Sequence, residues 1–139
     1  MADTKARILV VEDDEPVLEL LRIRLELAGY HAFYARDGHR ALEAMRNIGP
    51  DAVVLDIGLP HLDGFGVLRT MKYDRRLKDI PVLMLTARHA QSDVYTALSD
   101  GARDYLTKPF DDKVLLSRVA RLLADGQARR AASSQQYFV

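Results

Sequence analysis

The run Ala52-Val53-Val54-Leu55 contains no polar residue and ends in a carboxylate, Asp56, with Gly58 and Pro60 just beyond it. Four apolar residues without polar alternation describe a strand covered on both faces, as strands of parallel sheets are. Gly58 and Pro60 are turn residues that lead the chain away. Asp56 is thereby placed at the carboxyl end of a buried strand, the edge where open α/β sheets collect ligands. A chain holding such a strand must supply others to pair with it and helices to cover both faces.

The remaining sequence supplies both. Arg7-Ile8-Leu9-Val10-Val11 ends in Glu12-Asp13-Asp14, Val82-Leu83-Met84-Leu85 ends in Thr86, and Tyr105-Leu106-Thr107 leads into Lys108-Pro109. His31–Ala35 is also strand-like. Between these runs, apolar residues recur at helical spacing: Leu18, Leu21, Leu25 and Ala28; Ala41, Leu42, Met45 and Ile48; Phe65, Leu68 and Met71; Val94, Ala97 and Leu98; Val114, Leu115, Val119, Leu122 and Leu123. Asp14 suits the N-cap of the first helix with Pro16 in its first turn, and Gly29, Gly49-Pro50 and Gly101 are stop signals. Asp37-Gly38 reads as a turn and Leu62-Asp63-Gly64 as a loop. Strand and helix alternate five times. That pattern predicts a flavodoxin-like doubly wound α/β fold, a five-stranded parallel sheet of order 2-1-3-4-5 flanked by five helices. Residues 1–125 form one domain, and 126–139, rich in Ala, Ser and Gln around Arg129-Arg130, read as a tail, a helix extension or a linker.

Charge narrows the function classes. The 20 basic and 20 acidic residues among 139 cancel, which gives no support for a nucleic-acid or membrane surface. Without cysteine there is neither a disulfide nor a thiolate metal site. The start Met1-Ala2-Asp3-Thr4-Lys5 has no apolar signal core, so a cytoplasmic location is expected. His31, His39, His61 and His89 show no metal-ligand spacing.

If the strands run parallel, their last residues meet at one edge. Glu12, Asp13 and Asp56 would converge there with the Thr86 hydroxyl and the Lys108 ammonium. Carboxylates about 4 Å apart repel by roughly 4 kcal/mol per pair at an effective dielectric near 20. A hard divalent cation with oxygen ligands relieves that repulsion, and Mg²⁺ (or Mn²⁺) suits one or two carboxylates plus phosphate oxygens. Metal, ammonium and hydroxyl around one carboxylate are the parts that phosphoryl transfer needs. Each residue has a plainer reading in isolation: Glu12, Asp13 and Asp14 as helix caps, Thr86 as a strand-end hydroxyl, Lys108-Pro109 as a turn, Tyr105 as half-buried packing. Their co-occurrence at successive strand ends favours the site.

Glu12-Asp13, Asp56 with Pro60 and Asp63-Gly64, Thr86-Ala87 and Lys108-Pro109 together resemble the receiver domain of two-component response regulators, over about Arg7 to Leu123. The resemblance implies that Asp56 is the phosphoacceptor, that Asp13, Asp56 and the Gly58 backbone carbonyl bind Mg²⁺ with Glu12 acting through water, and that Thr86 and Lys108 hold the phosphoryl oxygens. It makes Thr86 and Tyr105 the switch pair and Lys108-Pro109 a cis-peptide candidate. The partners it implies are a sensor histidine kinase or histidine phosphotransfer protein, an output protein or lost C-terminal domain, and a phosphorylation-dependent second copy. The 139 residues leave no room for an output domain, so a stand-alone receiver and a fragment of a longer regulator are both open.

Departures concern lifetime and output. Gly58 is smaller than the residue usual at that place in the family, and Arg88 follows Thr86 by two; both bear on access of hydrolytic water. Arg103, Val114 and Val94 replace charges expected in the salt-bridged dimers of winged-helix regulators, although Asp104 and Arg118 match. Two rival functions use the same fold. A phosphatase with an Asp nucleophile needs a second acid two residues on, where Gly58 stands. An interaction module that is never phosphorylated would usually have lost Asp56, the acidic pair or Lys108.

Overall fold

In the computed structural model, residues 5–87 and 91–136 are described, with side chains to residue 127. Arg88 and His89 lie outside the described residues. Ten elements alternate: β1 (Arg7–Val11), α1 (Glu15–Leu27), β2 (His31–Ala35), α2 (Gly38–Ile48), β3 (Ala52–Asp56), α3 (Gly64–Lys72), β4 (Val82–Thr86), α4 (Gln91–Ser99), β5 (Asp104–Thr107) and α5 (Asp112–Gln136). The strands form one parallel sheet of order β2-β1-β3-β4-β5. This is the flavodoxin-like architecture expected from the alternation of apolar runs.

The burial pattern follows from position in the sheet. Every residue of the interior strands β3 and β4 is buried, because helices cover both faces, whereas β2 and β5 at the sheet edges are only partly buried. Alternate residues serve opposite layers. Ile8, Val10, Val54, Leu83 and Leu85 pack with Leu18, Leu21 and Leu25 of α1 and Leu115, Val119 and Leu122 of α5. Leu9, Val11, Val53, Leu55 and Met84 pack with residues of α2, α3 and α4, such as Leu42, Met45, Leu68, Met71 and Ala97.

Two local readings change. Asp37-Gly38 and Asp63-Gly64 are not free turns: each Asp is an N-cap, and each Gly is the first residue of a helix. The Asp14, Asp37 and Asp63 carboxylates accept from the amides of Val17, Arg40 and Gly66 at 3.3, 2.8 and 2.9 Å. The shared reason is that a short carboxylate satisfies an amide that the first helical turn leaves without a partner. At the other end of the chain, α5 continues as helix through Gln136.

Candidate functional site

Register brings the strand ends together. Val11 pairs with Leu55 and Asp56 with Leu85, so Glu12 follows alongside Asp56 at the carboxyl edge. Backbone bonds lock the same edge: Glu12 N–H donates to Ala35 O at 3.1 Å, Ile57 N–H to Leu85 O at 3.2 Å, and Lys108 N–H to Thr86 O at 2.8 Å. The residues after β1, β3 and β5 are therefore held in place by the sheet.

The side chains converge in turn. One carboxylate oxygen from each of Glu12, Asp13 and Asp56 lies within 4.8 Å of the others. Lys108 Nζ stands 2.8 Å from Glu12 Oε1 and 3.0 Å from Asp56 Oδ1. Glu12 is 1 % exposed and Asp56 7 %, whereas Asp13 is open to solvent. The Lys108–Pro109 peptide bond is cis. Thr86 is fully buried, and its Oγ1 has no hydrogen-bond partner among the described residues. A hydroxyl held like this at the end of β4 is available to an acceptor brought into the site.

Burial is the largest influence on Glu12. It pushes the carboxyl pKa up from its ordinary 4.5, the Asp56 charge adds to the rise, and Lys108 opposes it. Burial also pulls on Lys108, downward, but the hydrogen bonds and charges of Glu12 and Asp56 together outweigh it and leave the ammonium pKa above 10.5. Lys108 thus acts as the internal counter-charge of an acidic cluster. The donor set of three hard carboxylate oxygens fits Mg²⁺, with Lys108 ready to be shared with an arriving anion.

The remaining predicted residues surround this cluster unequally. A Cβ on Gly58 would sit 3.6 Å from Asp56 Oδ2, so Gly58 lies beside the carboxylate with room to spare. Tyr105 is on the outer strand β5, 37 % exposed, and its carbonyl accepts from Arg118 Nη1 at 3.2 Å. Gly64 is the tightest point. A Cβ there would lie 2.6 Å from Asp56 O and 2.8 Å from Ile57 Cα, both backbone atoms that cannot rotate away. Gly64→Ala should therefore push the start of α3 off the Asp56 strand end, costing about 1–3 kcal/mol. Denaturant midpoints check this, with Gly58→Ala as the control that retains wild-type stability.

Sequence reading missed one residue near the site. The Arg36 guanidinium, just after β2, donates from Nη2 to the Asp13 carbonyl at 3.2 Å. The signal was there: the rule that picked the polar residue ending β1, β3, β4 and β5 picks Arg36 when applied to β2.

The molecule is thus a doubly wound α/β domain with three carboxylates and a lysine gathered at the carboxyl edge of its parallel sheet. Comparison with known proteins agrees. The sequence model of the response regulator receiver domain matches residues 8–120. The chain is 44% identical over 117 residues to the DNA-binding dual master transcriptional regulator RpaA of a Synechocystis strain, covering 84% of this chain and 48% of that protein. It is 47% identical over 117 residues to the response regulator MprA of a Mycobacterium strain, covering 84% of this chain and 50% of MprA. A putative response regulator from Chloroflexus aurantiacus superposes with a TM-score of 0.84 at 36% identity, over 87% of this chain and 99% of that one. The chain belongs to the response regulator receiver domain family of two-component signal transduction, whose members are regulatory phosphoacceptors rather than enzymes. It spans about half the length of the curated relatives named here. Among the described residues, no helix is long and apolar enough to cross a membrane.

Proposed function

We propose that Asp56 accepts a phosphoryl group from a sensor histidine kinase or a histidine phosphotransfer protein, and that its phosphorylation state is the signal this domain transmits. One observation carries the reading: Lys108 Nζ lies between Glu12 and Asp56, at 2.8 and 3.0 Å, in a cluster of three carboxylates. In the transfer, an Asp56 carboxylate oxygen forms a bond to phosphorus as the donor's P–N bond breaks and its imidazole leaves with the electron pair. Asp13, Asp56 and the Gly58 carbonyl would hold Mg²⁺ with Glu12 acting through water, and the ion supplies charge neutralisation of the transferring group. Lys108 exchanges its hold on the resting carboxylates for a phosphoryl oxygen, and the buried Thr86 hydroxyl donates to another.

That second contact couples site to surface. A phosphoryl group brings roughly −1.5 to −2 charge. Thr86 moving toward it leaves space at the end of β4, into which the exposed Tyr105 ring turns, altering the face formed by α4, β5 and α5. An output protein, a following domain or a second copy would read this face. Output is the part of the reading that the relatives' descriptions bear on: RpaA is described as a DNA-binding transcriptional regulator and MprA as a response regulator, and the matched region is about half of each.

Incubation with Mg²⁺ and a small acyl phosphate, followed by intact-mass analysis, tests the proposal. One phosphoryl adduct per chain is expected, and none appears when Mg²⁺ is chelated. Absence of any adduct from folded protein would sink it. Thr86→Ala separates the two halves of the mechanism. It removes a buried hydroxyl that has no partner among the described residues and so should leave stability unchanged or slightly higher. Adduct formation persists in this variant, while the phosphorylation-dependent shifts of Tyr105 and α4 resonances shrink.

A further inference from the structure

Asp13 differs from Glu12 and Asp56 in being exposed, on the short segment between β1 and α1. Two side chains brace that segment. Glu12 Oε2 accepts from the amides of Asp13 and Asp14 at 3.1 and 3.4 Å, and Arg36 Nη2 donates to the Asp13 carbonyl at 3.2 Å. The Glu12 brace is conditional, because the same carboxylate also engages Lys108 and would be drawn upon by a hydrated cation. The Arg36 brace uses neither carboxylate oxygens nor Lys108.

Arg36 is itself well founded. Ala35 before it accepts from the Glu12 amide at 3.1 Å, and Asp37 after it caps α2 through the Arg40 amide at 2.8 Å. Its bond to Asp13 is the one hydrogen bond its guanidinium makes among the described residues. The fork of a guanidinium keeps its direction when it donates, which suits holding a carbonyl better than a flexible ammonium does.

We infer that Arg36 is a positioning residue for the divalent cation: it fixes the Asp13 backbone, and through it the direction in which the Asp13 carboxylate meets the ion. The inference rests on the reading of Asp13 as a Mg²⁺ ligand. Two effects of Arg36 oppose each other. Its positive charge repels a cation, but that charge is exposed and screened by solvent and salt. Its hydrogen bond removes freedom from a ligand-bearing loop, and partners that orient metal ligands are worth about 10–100-fold in affinity. The positioning effect wins, at the lower end of that range because the bond is open to water.

Mg²⁺ titration of the unphosphorylated full chain, followed by calorimetry or amide NMR, tests this in wild type, Arg36→Ala, Arg36→Lys and Asp13→Asn. Arg36→Ala should weaken Mg²⁺ binding about tenfold with an unchanged denaturant midpoint, and Arg36→Lys should fall between it and wild type. Hydrogen exchange at residues 13–17 should quicken in Arg36→Ala, and its phosphorylation rate should return to the wild-type value once Mg²⁺ saturates. Unchanged or tighter Mg²⁺ binding in Arg36→Ala, while Asp13→Asn binds poorly, overturns the inference alone. Identical binding by wild type and Asp13→Asn removes Asp13 as a ligand, and both readings fall together.

Discussion

Asp56→Asn should form no phosphoryl adduct under conditions that label the wild type. The amide has nearly the shape of the carboxylate and fits the same buried position at the end of β3, where Asp56 is 7 % exposed. It lacks the anionic oxygen that must attack phosphorus, so the effect is loss of the reaction rather than a slower one. The resting fold should tolerate the change. Lys108 loses the negative charge 3.0 Å away on Asp56, in whose place an amide oxygen can still accept, and keeps Glu12 at 2.8 Å. Glu12 in turn loses a neighbouring negative charge that raises its pKa. Intact mass after incubation with Mg²⁺ and an acyl phosphate measures the loss, and the denaturant midpoint shows that the variant is folded. An adduct of equal yield on Asp56→Asn would assign the phosphoacceptor elsewhere.

Lys108→Ala should have the largest combined effect on rate and stability. Removing a preorganised cation from the transferring phosphoryl group slows such reactions by about 10²–10³-fold. In the resting protein the same change strips Glu12 of its counter-charge, leaving a 1 % exposed carboxylate held only by the amides of Asp13 and Asp14. An uncompensated buried group costs about 1–3 kcal/mol. The sign of the pH dependence follows from the direction of the shift. Glu12 already has a pKa raised above 4.5, and loss of Lys108 removes the hydrogen bond and charge that oppose the rise, leaving only the Asp14 amide to hold it down. A carboxyl with a raised folded pKa contributes stability that is fully present below its unfolded value and lost as pH rises through the folded one. The deficit of the variant should therefore be greatest near neutral pH and shrink as pH falls toward 4.5. On the alkaline side, the contribution of Lys108 in the wild type is fully present below 10.5 and lost as pH rises through its raised folded pKa. The two proteins should converge again there. Chemical denaturation of both proteins across the pH range measures the difference, and a deficit that grows toward acid would contradict the role assigned to Glu12.

These expectations depend on features of unequal visibility in the sequence. The interior strands were plain because a segment buried on both faces has no polar residue, and that signal is carried by the segment itself. Asp14 was readable as a cap for the same local reason, whereas Asp37-Gly38 and Asp63-Gly64 were read as turn and loop. Glycine at the first helical position carries the composition of a turn, and only the packing above it explains its presence. A Cβ on Gly64 would run into the backbone of Asp56 and Ile57, and one on Gly38 would lie 2.4 Å from Leu62 O.

By itself the sequence determined the kinds of element, their order, and which polar residues end the buried strands, because burial preference and capping are settled within a few neighbouring residues. Glu12, Asp13, Asp56, Thr86 and Lys108 were therefore legible as candidates. Only the tertiary structure decided their pairings. Lys108 meets Glu12 across 96 residues of chain, Arg36 reaches the Asp13 carbonyl across 23, and the Thr86 hydroxyl is left without a partner among the described residues. Such contacts are set by strand register and by the close approach of separate loops, where distances of a few tenths of an ångström decide whether a hydrogen bond forms.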